Sequence, residues 1–412
     1  MTNSQWMLAA GLAAVEVLLL LPLLRRPPAD KRRWSGERVY TVVLAHVLGA
    51  ALFFAGGYTQ ASHGWFSGNA ARWKQLPTPF ESFTASGDPS LARQVGAVER
   101  RAPRPELGSA QGVARWQREM RSYLDSAVIG ARAGDGAAPP VHRVLGTAKL
   151  PGGVTRSFVA VPGFDGTPLP GYLFVPPGTG RRPAVLVISG HGNGIIETAG
   201  LTPSYQHEAA LRLARAGYVT FTPELRGFGY LGLRIGNEHL TTANNALMAG
   251  RSYKAFLLRD LRGMVDWLQA QPAVDPERMG VTGVSFGGEM SVALAAVDPR
   301  LRVVVAQGTE GGVGPHDGYH RDANPGFPHV LCHFFDTPNR HVAREDPFLL
   351  VAPRPMLLVR GTEEGPENAA FLALLRSAYR RFGPDARFVD RTVPGGHEYF
   401  ADPAIAFFRE HL

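Results

Sequence analysis

The chain has 412 residues, 45% of them hydrophobic, 9% aromatic and 19% charged, which excludes general disorder and leaves room for one large domain with appendages. A net charge of +8 invites a nucleic-acid reading, but six cations between Arg25 and Arg38 face only Asp30 and Glu37, and elsewhere the excess is small and almost all arginine; no nucleic-acid partner is expected. One cysteine, Cys332, excludes an intrachain disulfide and a cysteine zinc cluster and leaves the compartment open.

Trp6–Leu24 carries only Glu16 as a charge, and Val39–Tyr58 is a second apolar run broken only by Thr41 and His46. Each is long enough to cross a hydrocarbon core as a helix. A cleaved signal peptide fits less well, because Met1–Gln5 has no Lys or Arg and no small-residue cleavage site precedes the Arg25-Arg-Pro-Pro28 loop. The reading is a two-helix transmembrane hairpin over residues 1–58. Its cationic loop should stay cytoplasmic, which places everything after Tyr58 on the outer side, although Arg72 and Lys74 weigh weakly against this. At about 1.5 Å per residue Glu16 and His46 reach similar depth, where a mutual hydrogen bond would relieve a buried carboxylate.

Residues 59–108 are rich in Pro, Ser, Gly and Arg and read as a linker with a short helix near Asp88–Arg100. In Ser109–Ile129, Val113, Trp116, Met120, Tyr123 and Leu124 recur at helical spacing. Val141–Leu150, Thr155–Val161 and Pro168–Val175 read as strands separated by glycine turns, an antiparallel entry to a larger sheet. Strand and helix patterns then alternate, which argues for a mostly parallel sheet with helices on both faces. Strands are expected at Ala184–Ser189, Val219–Pro223, Met279–Val284, Val303–Gln307, Met356–Arg360 and Arg387–Thr392. Helices are expected near Ser204–Ala216, Ala243–Gln271, Gly288–Val297, Glu367–Phe382 and Asp402–His411. Gly308–Glu345 fits neither period, holds His316, His320, His329, His333 and His341, and reads as an insertion over the C-terminal edge of the sheet. The domain is thus expected to run over residues 109–412, with residues 308–345 inserted.

The segment Met279-Gly-Val-Thr-Gly-Val-Ser-Phe-Gly-Gly-Glu-Met290 places Ser285 between Gly283 and Gly287 where a strand should turn into a helix. Such a turn forces the serine into a strained conformation and leaves no room for side chains two residues either side. With 48 glycines in the chain the match could be chance, so its context decides. A serine needs a base to take its proton, and the base needs an acid to fix its tautomer. In this kind of sheet the order along the chain is Ser, acid, His. Past the strand at Met356 lies Gly361-Thr-Glu-Glu364, which offers Glu364, with Glu363 as fallback. Past the strand at Arg387 lies Pro394-Gly-Gly-His397, which offers His397 as the base. Developing negative charge needs preorganised N–H donors. The N–H of Phe286 is one, and Gly190-His-Gly-Asn-Gly194 should supply the other from Asn193, or alternatively from Gly192. That loop lacks the Lys-Ser/Thr ending of a phosphate cradle.

These pieces, together with Pro223-Glu-Leu-Arg-Gly-Phe-Gly229, Gln271-Pro-Ala-Val-Asp-Pro-Glu-Arg-Met279 and Leu350-Val-Ala-Pro-Arg-Pro355, resemble the α/β-hydrolase superfamily from about Ser109 to Leu412, and within it the dienelactone-hydrolase-like and acetyl xylan esterase-like carboxylesterases. Two departures stand out: Glu364 where that pattern usually has Asp, and Glu224 where it has Asp before Arg-Gly-x-Gly. The resemblance implies that Glu224, Arg226 and Arg354 are structural. It also implies a serine esterase that uses no cofactor and no metal; His316, Asp317 and His320 match no recognised zinc-enzyme spacing.

The expectation is therefore a membrane-tethered serine carboxylesterase acting outside the cytoplasm on a small-molecule or carbohydrate ester with a short acyl group. A peptidase or amidase of prolyl-oligopeptidase type is the alternative, although the segment before Ser109 is too short for the propeller of those enzymes. An anchored binding protein without activity would leave a complete Ser, Glu and His set without purpose. The acyl group and the oligomeric state are left open by the residues alone.

Overall fold

A computed structural model describes residues 108–130, 141–232, 238–309, 330–333, 335, 341–343, 345–364, 368–384 and 386–412. The expected hairpin, the Glu16–His46 pair, the linker helix and His316, His320 and His329 lie outside the described residues. Among the described residues no helix is long and apolar enough to cross a membrane.

Nine strands form one sheet: β1 (Arg143–Lys149), β2 (Thr155–Pro162), β3 (Pro168–Val175), β4 (Arg182–Ile188), β5 (Val219–Pro223), β6 (Val274–Val284), β7 (Leu301–Gln307), β8 (Met356–Gly361) and β9 (Phe388–Val393). Their order is β1-β2-β3-β5-β4-β6-β7-β8-β9. The pairs β1–β2, β2–β3 and β3–β5 are antiparallel and all others are parallel. The chain steps from β4 outward to β5 and returns to place β6 on the other side of β4. The carboxyl ends of β4 and β6 therefore flank the point where the winding reverses, which is where open α/β sheets bind ligands.

Side-chain alternation explains why the parallel strands read as near-continuous apolar runs: both faces are covered. Ala184, Leu186, Ile188, Val281, Val304, Ala306, Met356 and Leu358 point into one core, shared with helices Tyr253–Gln269, Phe286–Val297, Asp346–Val351 and Ala369–Arg380. Val185, Val187, Val303, Val305, Leu357 and Val359 point into the other, shared with helices Ala209–Arg215 and Ala401–His411. Trp116, Met120 and Leu124 of the Ala110–Tyr123 helix and its π-helical continuation extend the first core, as their spacing predicts.

One expected helix divides. Ala243–Gln271 is two helices, Glu238–Met248 and Tyr253–Gln269, parted at Gly250 with φ +73°. Ser252 starts the second by accepting the Ala255 N–H at 3.1 Å. A left-handed glycine ends a helix and an N-cap serine begins another, so the apolar periodicity alone concealed the break.

Candidate active site

Ser285 follows the last residue of β6 and precedes the helix Phe286–Val297, with φ +61° and ψ −129°. An L-residue held there costs about 1–3 kcal/mol and needs neighbours that enforce it. A Cβ on Gly283 would lie 2.5 Å from the Gly287 carbonyl, and one on Gly287 would overlap the Ile188 carbonyl. The Ser285 N–H donates to the Gln307 carbonyl at 2.8 Å, which fixes the elbow to the end of β7.

The acid and base come from the ends of β8 and β9. Glu364 Oε2 accepts the Gly361 N–H at 2.6 Å, and its Oε1 accepts from His397 Nδ1 at 2.5 Å. With Nδ1 as the donor, Nε2 is the basic nitrogen. The carboxylate is 15% exposed and the imidazole 48%, so the acid is shielded while the base is open to a ligand. Glu363, the fallback, is exposed, and its N–H donates to the Gly395 carbonyl at 3.0 Å, so Glu364 is the carboxylate brought to His397. A Cβ on Gly308, φ +55°, would lie 2.8 Å from His397 Cε1, so the turn after β7 leaves room for the imidazole only as glycine.

Three contacts hold the loop that carries His397. Gln307 Nε2 donates to the Phe400 carbonyl at 3.1 Å, and Gln307 Oε1 accepts the Phe400 N–H at 2.8 Å. The Tyr399 N–H donates to the Tyr205 carbonyl at 2.8 Å.

Tyr205 stands between the nucleophile and the base. Its ring stacks on His397 with centroids 5.6 Å apart, and its hydroxyl donates to the His191 carbonyl at 2.7 Å. Burial pushes the phenol above its ordinary value, so it stays a donor. Among the described residues no hydrogen bond joins Ser285 to His397. Catalytic hydrogen bonds are often unformed without substrate.

The N–H of Phe286, first in its helix, makes no hydrogen bond among the described residues and remains available, as the elbow implies. The expectation for Asn193 is corrected. Its N–H donates to Glu197 Oε1 at 3.0 Å and its Nδ2 donates to the same oxygen at 2.9 Å. Glu197 is buried and draws on nearby donors, Gln206 Nε2 at 2.6 Å among them. The Gly190 N–H donates to Gln206 Oε1 at 2.8 Å. Gly192 has φ +141°, and its N–H has no hydrogen-bond partner among the described residues.

Glu224 packs against this loop, and Arg226 and Arg354 hold other segments of the domain. Buried Glu224 accepts N–H groups from Tyr230 at 3.0 Å and Ile195 at 3.3 Å, and burial pushes its carboxyl up to about 7. Arg226 pairs with Asp260 at 2.6 Å and Asp165 at 2.7 Å. Arg354 donates to the carbonyls of Leu301 at 2.9 Å and Ala295 at 2.5 Å. On the elbow helix, Glu289 holds buried Lys254 and accepts from His333 Nδ1 at 2.5 Å, which ties the 330–335 stretch of the insertion to the nucleophile's own helix.

Tyr205 and Gln307 were missed by sequence reasoning. Gln307 had a legible signal, a polar residue closing the apolar run Val303–Ala306. Tyr205 had none, because its place depends on a loop fold that no periodicity encodes.

Residues 169–312 match the Dienelactone hydrolase family. A provisionally named hydrolase of Bacillus subtilis (strain 168), YtaP, is 28% identical over 205 residues, covering 47% of this chain and 65% of that protein. The chain thus spans less than two thirds of that relative's length. A solved Bacteroides fragilis protein, provisionally described as an acetyl xylan esterase, superposes with a TM-score of 0.61 at 18% identity, over 76% of this chain and 83% of that one. The glucuronoyl esterase from Solibacter usitatus superposes at 0.53 and 16% identity, over 74% and 94% of the respective chains. At these identities the two superpositions speak for the α/β-hydrolase fold, and the match over residues 169–312 shows that the chain carries a domain of the dienelactone hydrolase family.

Proposed function

We propose that the chain is a serine carboxylic ester hydrolase that works through an acyl-enzyme on Ser285. The observation that carries this reading is the Glu364–His397 pair at 2.5 Å, set beside a serine held in an elbow. On binding an ester, the Ser285 hydroxyl turns to His397 Nε2, gives up its proton there and bonds to the carbonyl carbon. Charge on the carbonyl oxygen is met by the N–H of Phe286 and, in place of Asn193, by that of Gly192. His397 returns the proton to the departing alcohol; water, deprotonated by the same nitrogen, then releases the acid and restores the serine.

The substrate we favour is a short acyl ester, such as an acetyl group, on a carbohydrate or other small alcohol. The fold shared with proteins named as acetyl xylan and glucuronoyl esterases supports that class. We also propose that residues 1–58 anchor the enzyme in a membrane with residues 109–412 on the outer side, on the strength of two apolar runs joined by a cationic loop. Hydrolysis of p-nitrophenyl esters of increasing acyl length by the detergent-solubilised chain tests the reading. Acetyl and propionyl esters should turn over fastest, and His397→Ala should lower kcat by about a thousandfold or more. Turnover of aminoacyl amides with esters left intact would transfer the assignment to a peptidase. Protease shaving of intact spheroplasts should remove the 109–412 portion; protection from it would reverse the orientation.

A further inference from the structure

We propose that His191, His239 and Cys332 form a binding site for a zinc-type transition-metal ion, separate from the ester-cleaving groups. The three residues come from different segments: the loop after β4, the helix Glu238–Met248 and the turn Val330–His333. One nitrogen or sulfur atom from each lies within 4.8 Å of the other two. Cys332 Sγ and His191 Nε2 are 3.5 Å apart. A tetrahedral zinc ion with Zn–S of about 2.3 Å and Zn–N of about 2.0–2.1 Å spaces a sulfur and a nitrogen by about 3.5 Å, so that edge of the polyhedron is already formed. Closing the remaining edges requires movements of about an ångström, within the reach of side-chain rotation.

A thiol-to-imidazole hydrogen bond would account for Cys332 and His191 alone. The His239 ring nitrogen is the third donor, within 4.8 Å of both. The surroundings also suit a metal. His191 stacks on Phe286 at 4.9 Å and on Phe228 at 5.7 Å, and His239 packs on Phe228 at 5.3 Å, so aromatic walls limit water around the donors. Two imidazoles and a thiolate select zinc-type ions over calcium or magnesium.

His191 sits next to Gly192, so an ion here would fasten the loop expected to hold the ester's oxygen to the insertion. The site stands on its own residues and holds whether or not Ser285 is the nucleophile.

The test uses the untagged, detergent-solubilised full chain, stripped with a chelator. Equilibrium dialysis against Zn²⁺ should give one ion per chain, with the affinity at least about tenfold lower in Cys332→Ser and in His239→Asn. Loading with Co²⁺ should give a thiolate-to-cobalt charge-transfer absorption that Cys332→Ser abolishes. Absence of stoichiometric binding, or of that band in the native chain, overturns the proposal without recourse to any variant. Binding that both variants leave unchanged also overturns it, by placing the ion on other histidines.

Discussion

The side-chain amide of Gln307 brackets the main chain of Phe400, donating to its carbonyl at 3.1 Å and accepting its N–H at 2.8 Å. The carbonyl of the same residue accepts the Ser285 N–H at 2.8 Å. One buried glutamine therefore sets the distance between the nucleophile's turn and the loop bearing His397. Gln307→Leu leaves two part-buried main-chain groups of Phe400 unpaired, at up to about 1–3 kcal/mol each. Thermal or urea unfolding should register that loss. Ester hydrolysis should show kcat reduced by about tenfold to a hundredfold with KM less affected, because geometry rather than binding is disturbed.

Tyr205 couples the oxyanion loop to the base, through its hydroxyl to the His191 carbonyl and through its ring to His397. Tyr205→Phe keeps the stack and removes the tether. Steady-state kinetics should show kcat lower by about tenfold. Tyr205→Ala, which also removes the stack, should lose distinctly more; equal losses in the two variants would assign the whole effect to the hydroxyl.

Glu224 predicts a pH dependence of stability. Its carboxyl is pushed from an ordinary 4.5 up to about 7, first by burial and also by nearby Glu197, against hydrogen bonds from backbone N–H groups. A folded-state pKa above the unfolded one means that the native protein binds the proton more tightly. The contribution is complete below about pH 4.5 and is lost as pH rises through about 7. Its size is on the order of 3 kcal/mol. Urea unfolding between about pH 5 and pH 8 should show the native chain losing stability relative to Glu224→Gln by about that amount. Parallel profiles for the two proteins would show that the carboxylate titrates normally.

Much of this architecture was legible because parallel strands buried on both faces leave uninterrupted apolar runs, and β7 and β8 fall where those runs do. The Ser285 turn was legible because only glycine fits at 283 and 287. The break at Gly250 was not, since apolar spacing continues across it. Asn193 was misassigned for a reason outside any motif: a glycine-rich loop shows that backbone can approach, but which N–H points inward depends on Glu197, four residues on, claiming the Asn193 amide. Tyr205 and the His191–His239–Cys332 cluster unite distant segments through tertiary structure alone.

The central claim is that Ser285 is the residue that becomes acylated. Treatment with a fluorophosphonate probe, followed by peptide mass mapping, tests it most directly. The account predicts one modified residue, Ser285, and no labelling of Ser285→Ala under conditions where that variant is folded. Undiminished labelling of Ser285→Ala, or modification mapped to another serine in the native chain, would contradict it.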